Sequence, residues 1–247
     1  MKTINKITKT LGGVLVLFLI WHIAAVLLYR RILPTPLITF EALIANRQVI
    51  WTHTLYSLTR IGAGVGLALL VSIPMGMAMG YFKTLDKLLA PVTYILAPIP
   101  KIVFLPLIMV LMGMGETSRV SLLFLTIAFP ITLATRDATR RIPQDLYAPL
   151  LAAKRSQSFI FYHVVFLGGL PAVFTALRLS LAVGISVLFI SENYGTRIGL
   201  GHFIMDSWIT LRYPSMFAGI LSMGILGVIL TALTDLAQKI ICPWAKQ

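Results

Sequence analysis

Three ionisable residues, Lys101, Arg178 and Glu192, lie within or at the edge of long apolar runs. A charge at the centre of a bilayer costs at least ~2.5–3.5 kcal/mol, so such residues are candidates for function. Lys101 allows two interpretations: a cation that lines a path for anions, or a side chain that reaches the inner headgroups. Arg178 is expected to pair with headgroup phosphates or with a carboxylate. Glu192 is expected either to make a hydrogen bond at a gate or to be a surface charge at a helix end.

The remaining polar residues form no arrangement that is typical of catalysis. The sequence lacks the GxxxxGK[ST] loop that cradles nucleotide phosphates. His22, His53, His163 and His202 lie in separate segments without the spacing of metal ligands, and we interpret them as isolated side chains. Cys242 is the single cysteine, which excludes an intrachain disulfide. We therefore expect no catalytic residue, no metal site and no cofactor held by this chain.

Composition places these residues in a membrane protein. The chain has 247 residues, of which 58% are hydrophobic and 12% are charged, and its mean hydropathy is +0.90. Soluble domains carry roughly twice that fraction of charge, so an ordinary soluble enzyme and a disordered regulator are both excluded. The net charge is +13, but the basic residues lie between apolar runs and form no continuous basic face. That distribution argues against a nucleic-acid partner and favours contact with lipid headgroups.

Six apolar runs are predicted to cross the bilayer, for which a helix needs about 20 mostly apolar residues. They cover residues 11–28, 55–81, 88–112, 120–134, 170–190 and 216–241. The first run ends in Tyr29-Arg30-Arg31 without a small-residue cleavage site, so we expect a retained helix over 11–30 and no cleaved signal peptide. The prediction is an all-α, polytopic protein with a single transmembrane domain over 1–247 and a core over about 50–241.

The distribution of basic residues predicts the orientation. With both termini in the cytoplasm, the inner segments hold twelve of the 21 Lys and Arg and the outer segments hold six. The polar stretch over about 135–169 then lies in the cytoplasm. Because it is too poor in apolar residues to build a core of its own, we expect it to dock to a partner.

Prolines and glycines predict two local features of the spans. Pro91, Pro98, Pro100 and Pro106 interrupt the third run, and freed carbonyls at membrane depth are tolerated only against protein or a water-filled path. This pattern allows either a translocation path or kinks covered by neighbouring helices. The second run contains two pairs of glycines at the small-xxx-small spacing, which predicts close helix contact. Residues 32–50 are predicted to be an outer loop with a short interfacial helix.

Several short motifs together resemble one family. They are SLTR at Ser57–Arg60, the small-residue run Ile73–Gly80, PIP at Pro98–Pro100, LPL at Leu105–Leu107, GMGE at Gly113–Glu116, HVV at His163–Val165, LPAVFTALR at Leu170–Arg178, SE at Ser191–Glu192 and GLG at Gly199–Gly201. Over about residues 50–240 the chain is similar to bacterial ABC-transporter permeases of the nitrate/sulfonate/taurine type.

The resemblance implies the type I importer permease fold, with six helices and a cytoplasmic coupling helix between the fourth and fifth. It implies a multi-pass subunit of the bacterial inner membrane that pairs with a second copy or a paralogue. Two separate ATPase subunits bind ATP and Mg, and a periplasmic or lipid-anchored protein delivers the solute. Candidate solutes are nitrate, sulfonates, taurine, bicarbonate, thiamine precursors and flavins, and Lys101 favours an anion. The expected path residues are Pro98, Pro100, Lys101, Arg178, Ser191 and Glu192.

The coupling loop departs from the family pattern. The family consensus is EAA, a glycine after three residues and I-x-L-P nine residues later. These positions fall on Ala148–Leu150, on Lys154 and on Val164–Leu167, so the acidic residue, the glycine and the closing proline are all missing. The departure indicates either a divergent ATPase or pairing with a second permease that has the standard loop. The expected ATPase contacts are Ala148, Ala152, Ala153, Lys154, Arg155, Ser156, Gln157 and Ser158.

Two other classes of function remain open from the residues alone. A channel or secondary transporter would move solute without an ATPase, and an internal repeat is not evident. A membrane-embedded lipid enzyme would need polar residues clustered at one membrane face, whereas His, Asp and Glu are scattered along this chain. Alternating access driven by a partner ATPase is the leading hypothesis.

Overall fold

The computed structural model describes residues 2–28 and 32–245, and it describes the side chains from residue 12 onward apart from that of residue 144. Over these residues the chain is helical and has no β-strand. The helices are α1 (Lys2–Leu27), α2 (Pro36–Ala45), α3 (Arg47–Tyr81), α4 (Lys83–Leu96), α5 (Leu105–Met112), α6 (Glu116–Arg140), α7 (Ala148–Ala152), α8 (Gln157–Ile160), α9 (Leu167–Ser191), α10 (Leu200–Ile209) and α11 (Tyr213–Ile241).

Within the described part of the chain, four helices are long and apolar enough to cross a membrane: α3, α6, the continuous helix Gln157–Ser191 and α11. Helix α4 and the segment Lys101–Met112 make a fifth span if they count as one, with a bend of 88° between them. The described apolar part of the first run, Gly12–Leu27, is shorter than a typical span, and Arg30 and Arg31 lie outside the described residues. The predicted all-α membrane fold is confirmed, while the count of six spans stays a prediction.

The polar ends of two spans are helical beyond their predicted limits. Helix α6 continues to Arg140, past the predicted end near residue 134. The fifth span begins at Gln157 and not near residue 170, because α8 joins α9 through a π-helical turn at Phe161–Phe166. Hydropathy underestimates both helices because their ends are polar or aromatic.

The segment before α3 contains the predicted short helix. Helix α2 begins with Pro36 in its first turn, where a missing N–H costs nothing, and the Thr35 hydroxyl accepts a hydrogen bond from Ile38 N. Helix α3 follows at once from Arg47, so the loop is shorter than the predicted range 32–50.

Glycine brings α3 against α6. A Cβ atom on Gly76 would lie 2.6 Å from the carbonyl oxygen of Thr132, and one on Gly80 would lie 2.7 Å from that of Arg136. Only glycine allows this approach of two backbones. The predicted close contact is confirmed for this pair, whereas a Cβ on Gly62 would meet nothing within 4 Å.

The described residues group into two compact units. One comprises Ser57–Thr196 with Ile225–Gln247, and its core is formed by buried apolar side chains of α3, α6 and α9, including Ile61, Ile127 and Leu188. The other comprises Met1–Tyr56 with Arg197–Gly224. The prediction of one domain over 1–247 stays a prediction.

The smaller unit is held by aromatic stacking and by polar contacts to the backbone. The Trp21 indole donates to the carbonyl of Pro34 (3.0 Å), and its ring stacks on Phe217 with 6.0 Å between centroids. His53 Nδ1 lies 2.8 Å from the carbonyl oxygen of Gly199.

The glycine contact leads to a first prediction. Gly76→Ala should lower the free energy of unfolding by about 1–3 kcal/mol, because the new methyl group meets backbone that cannot move aside. Gly62→Ala is the matched control in the same helix, and the higher helix propensity of alanine should leave it neutral or stabilised by up to about 1 kcal/mol. Thermal unfolding of the purified protein in detergent measures both. Equal effects of the two substitutions would contradict the proposed packing role of Gly76.

Candidate functional site

A buried ionic cluster joins three helices at the Glu116 end of α6. Arg60 of α3 donates from Nε and Nη2 to the two carboxylate oxygens of Glu116, each at 2.6 Å. Its Nη1 donates to Glu192, the residue after α9, at 2.7 Å. The side chains of Arg60 and Glu192 are 1% and 0% exposed, whereas that of Glu116 is 57% exposed. One guanidinium therefore connects a buried carboxylate with an accessible one.

Further hydrogen bonds complete the cluster. The Ser57 hydroxyl lies 2.8 and 3.0 Å from the two carboxylate oxygens of Glu192. Arg119 of α6 is 1% exposed and donates to the carbonyls of Gly115 (2.7 Å) and Tyr194 (2.6 Å). Two buried guanidinium groups thus face one buried carboxylate, that of Glu192, and one exposed carboxylate, that of Glu116. Pairing of this kind is what allows buried charges to be tolerated.

The cluster rules out one of the two interpretations of Glu192, while its role at a gate stays a prediction. The hypothesis of a surface charge is wrong, because the carboxylate is fully buried and hydrogen-bonded. In the sequence Ser57, Arg60 and Glu116 stand out only as members of the family motifs, and nothing in those motifs pairs them. The available signal was that Arg60 lies inside an apolar run, where an arginine requires an acidic partner.

Lys101 occupies the break between α4 and α5. Its ammonium donates to the carbonyl oxygens of Leu96 (2.5 Å), Ala97 (3.2 Å) and Ile99 (2.8 Å). The last carbonyls of a helix have no partner within the helix, and the amide nitrogens of Pro98 and Pro100 have no hydrogen to donate. Lys101 thus caps the broken span. Neither interpretation of the sequence predicted these carbonyl partners.

A cavity of about 340 Å³ adjoins this cap. Its lining is mostly apolar and includes Pro98, Pro100, Phe129, Pro130, Val183 and Val187. The ammonium of Lys101 also lies 4.7 Å from the ring centroid of Phe129. Among the described residues Lys101 has no carboxylate partner, and its ammonium is hydrogen-bonded to the three carbonyl oxygens named above.

Arg178 has the carboxylate partner that was one of its two predicted alternatives. Its Nε donates to Asp235 Oδ1 at 2.7 Å and its Nη2 donates to Gln238 Oε1 at 2.8 Å. These contacts join α9 to α11. Ser191 is buried, and its hydroxyl donates to the carbonyl of Leu188 at 2.9 Å. Path lining by Arg178 and Ser191 stays a prediction.

The segment between α6 and α8 is exposed and ordered by its own hydrogen bonds. After α7, Lys154 N donates to the carbonyl of Leu151 and Arg155 N donates to that of Leu150, which is the pattern of a Schellman cap. Lys154 has φ of 51°, the left-handed conformation that favours glycine. This residue falls on the position of the consensus glycine, and its backbone has a conformation that glycine adopts without strain.

The second half of this segment is capped as well. The Ser156 hydroxyl accepts from Phe159 N at 3.3 Å, and Arg155 lies over the Phe159 ring with 5.0 Å to its centroid. The Tyr81 hydroxyl donates to Gln157 Oε1 at 3.0 Å, which ties the segment to the end of α3. Burial raises the pKa of Tyr147, at the start of α7, so this phenol stays neutral. Residues 151–158 are all exposed.

Comparison with known proteins identifies the family. A model described as "Binding-protein-dependent transport system inner membrane component" matches residues 68–247. The chain belongs to this family. It is the membrane permease component of an ABC import system, and the family consists of permease components and not of enzymes. The resemblance and the permease role drawn from the sequence are confirmed.

Individual relatives agree with this assignment. The chain is 30% identical to the taurine transport system permease protein TauC of Escherichia coli, over 97% of this chain and 90% of TauC. It is 26% identical to the nitrate import permease protein NrtB of Synechocystis, over 76% of this chain and 68% of NrtB. It is also 26% identical to the bicarbonate transport system permease protein CmpB of Synechococcus elongatus, over 96% and 90%.

The ionic cluster predicts a strong effect of single substitutions. Arg60→Met should lower the free energy of unfolding of the permease by about 3–5 kcal/mol, because it leaves the buried Glu192 carboxylate without a counter-charge. The double substitution Arg60→Met with Glu192→Leu should recover most of that loss. Thermal unfolding in detergent checks both proteins. A double variant that is less stable than Arg60→Met alone would contradict the pairing.

The cap of α7 predicts a stabilising substitution. Lys154→Gly should raise the free energy of unfolding by about 1 kcal/mol, because a left-handed conformation costs an L-residue about 1–2 kcal/mol and part of this is offset by glycine entropy. Ala153, with φ of −76°, provides the control, and Ala153→Gly should be destabilising. Protection of the Arg155 amide against hydrogen exchange reports on the cap directly.

Proposed function

We propose that this permease imports a small anion by alternating access, driven by ATPase subunits that dock on the exposed segment 148–158. The observation that supports docking is an exposed chain held in one conformation by caps at both of its short helices. A preorganised surface loses little entropy when it binds a partner. The docking residues are Ala148, Ala152, Ala153, Lys154, Arg155, Ser156, Gln157 and Ser158.

The docking segment is continuous with two membrane-capable helices. Helix α6 leads into it and the helix Gln157–Ser191 leaves it. A force that an ATPase applies to α7 therefore reaches the membrane helices through the chain itself, because the segment is covalently continuous with α6 on one side and with the helix Gln157–Ser191 on the other. Under this proposal the segment and both termini face the cytoplasm, and ATP and Mg are held by the ATPase subunits. This chain binds no cofactor.

The positive charge of Lys101, which has no carboxylate partner among the described residues, supports an anionic solute. The cation borders a mostly apolar cavity, where a fixed charge is less screened than in bulk water. The relatives named for taurine, nitrate and bicarbonate transport act on solutes that share an anionic group. We place the path along Pro98, Pro100 and Lys101 and its gate near Ser191 and Glu192, with Arg178 at its other end.

Three further partners complete the proposed system. A second permease copy or a paralogue forms the other half of the path, and a periplasmic or lipid-anchored protein delivers the solute. Lipid covers the remaining apolar surface, which exposes residues such as Val110, Leu111 and Ile240.

The docking surface is tested with a charge on α7. Leu151 is 55% exposed, so Leu151→Glu should leave the fold intact and reduce co-purification of an ATP-hydrolysing subunit by about tenfold or more. Leu146→Glu is the matched control, since Leu146 has the same exposure but lies outside the proposed surface. Retention of the ATPase by Leu151→Glu would refute docking through 148–158. Loss of the ATPase in both variants would contradict the proposed limits of the docking surface, residues 148–158.

The role of Lys101 is tested by removing its charge while keeping a donor. Lys101→Gln should lower uptake of anions into proteoliposomes that contain the complete transporter by about tenfold, with little change in assembly. Lys101→Arg, which keeps the charge, should retain more transport than the glutamine variant. Unchanged uptake by Lys101→Gln would remove Lys101 from the path.

A further inference from the structure

Helix α4 has little apolar contact with the rest of the described chain. Only Ala90 and Thr93 are buried in it. Its large apolar side chains point away from the core, with Leu88 70% exposed and Ile95 69% exposed. Apolar packing therefore does not fix the position of this helix, and its polar contacts must do so.

One arginine of α6 supplies most of those polar contacts. Arg136, whose side chain is 8% exposed, donates from Nε to Asp86 Oδ1 and from Nη2 to Asp86 Oδ2 at 2.9 Å. Its Nη1 donates to the Tyr94 hydroxyl at 2.8 Å, and the guanidinium lies 5.4 Å from the Tyr94 ring centroid. Arg140 adds a single bond to Asp86 Oδ2 at 2.8 Å.

The geometry makes this tie stiff. Asp86 and Tyr94 are eight residues apart, so Arg136 holds α4 at two points about 12 Å apart along its axis. A bidentate arginine–carboxylate pair fixes orientation as well as distance. Because two contacts on one helix also resist its rotation, a movement of α6 at Arg136 displaces α4 as a body.

The tie lies between the docking segment and the capped break. Arg136 is four residues from the end of α6, beyond which the exposed segment with α7 begins. The other end of α4 provides the carbonyls of Leu96 and Ala97 that Lys101 caps. Arg136 is therefore the contact through which α4 follows the end of α6.

We propose that Arg136 is a positioning residue of the transport cycle. It ties α4 to the Arg140 end of α6, which leads into the docking segment 148–158, so that movement of this segment displaces the break at Lys101. This inference rests on the proposed docking of an ATPase at 148–158. The coupling that it requires is of a known kind, because hydrogen-bond networks and rigid helices carry coupling energy between distant sites.

The test measures coupling separately from assembly. Proteoliposomes contain the permease, its ATPase and the solute-binding protein, and hydrolysis is compared with and without loaded binding protein. Asp86→Asn, which keeps the shape and removes the charge, should leave basal hydrolysis and assembly intact. It should lower the stimulation by loaded binding protein, and the uptake per ATP, by about threefold to thirtyfold. Arg136→Lys, which cannot bond in the bidentate manner, should be intermediate.

Two variants serve as controls. Arg140→Gln removes one bond from the same carboxylate but leaves the contacts of Arg136, so its stimulation should stay near that of the wild type. In the double variant Asp86→Asn with Arg136→Gln, the loss of stimulation by loaded binding protein should be no greater than in Arg136→Gln alone, because both substitutions break the same contact. If Asp86→Asn does not assemble, Tyr94→Phe removes the second contact with a smaller change and gives the same comparison.

The outcomes separate this inference from the proposed function. Full stimulation in assembled Asp86→Asn and Tyr94→Phe proteins would overturn the role of Arg136. Equal loss in Arg140→Gln and Asp86→Asn would overturn it as well, because the effect would then follow the surface charge. A wild-type permease that holds no ATPase at 148–158 would instead refute the proposed function.

Discussion

The pairing of buried charge is the constraint on which the larger unit depends. Arg60 and Glu192 have essentially no exposed surface, and each would cost several kcal/mol without the other. Their pairing brings α3 to the end of α9, and Glu116 adds the start of α6. A charged group also acts at the break, where the Lys101 ammonium binds three carbonyls of the interrupted helix. Charged groups in this protein hold together helix ends that side-chain packing has brought close.

Helix α6 links the features that matter for transport. Its Glu116 end belongs to the buried ionic cluster, and its Arg136 end holds α4. The two residues are separated by about 30 Å of helix, close to the thickness of a bilayer core. Between them α6 packs against α3 through Gly76 and Gly80, where backbone meets backbone. A helix that is bound to its neighbours at both ends and along one face is expected to move as a rigid body. Such a helix can carry a displacement from one membrane surface to the other.

Patterns that act over short distances in the chain were predictable. Pro98 and Pro100 remove two donors within three residues, and the third span breaks there, whereas the single prolines Pro91 and Pro130 lie inside helices. The small-xxx-small spacing predicted the close contact of Gly76 and Gly80. Gly62 and Gly66 have the same spacing, but a Cβ on either would meet nothing within 4 Å. The start of the fifth span was misplaced, because the polar residues among Gln157–Phe166 suggested a loop although six of these ten residues are Phe, Ile or Val and the segment is helical. The left-handed conformation of Lys154 was not predictable, since nothing about a lysine demands it.

The sequence by itself determined the class of protein, its family and the approximate position of its breaks, because composition and periodicity express burial and backbone chemistry directly. Only the tertiary structure decided which charges meet. Arg60, Glu116 and Glu192 are far apart in the chain, and their contact depends on the rotation and tilt of three helices, which side-chain packing sets. The partner of Arg136 is apparent only from the tertiary structure for the same reason. Asp86 lies fifty residues away in the chain, and it comes close because α3, which leads into α4, packs at Gly80 against the backbone of Arg136.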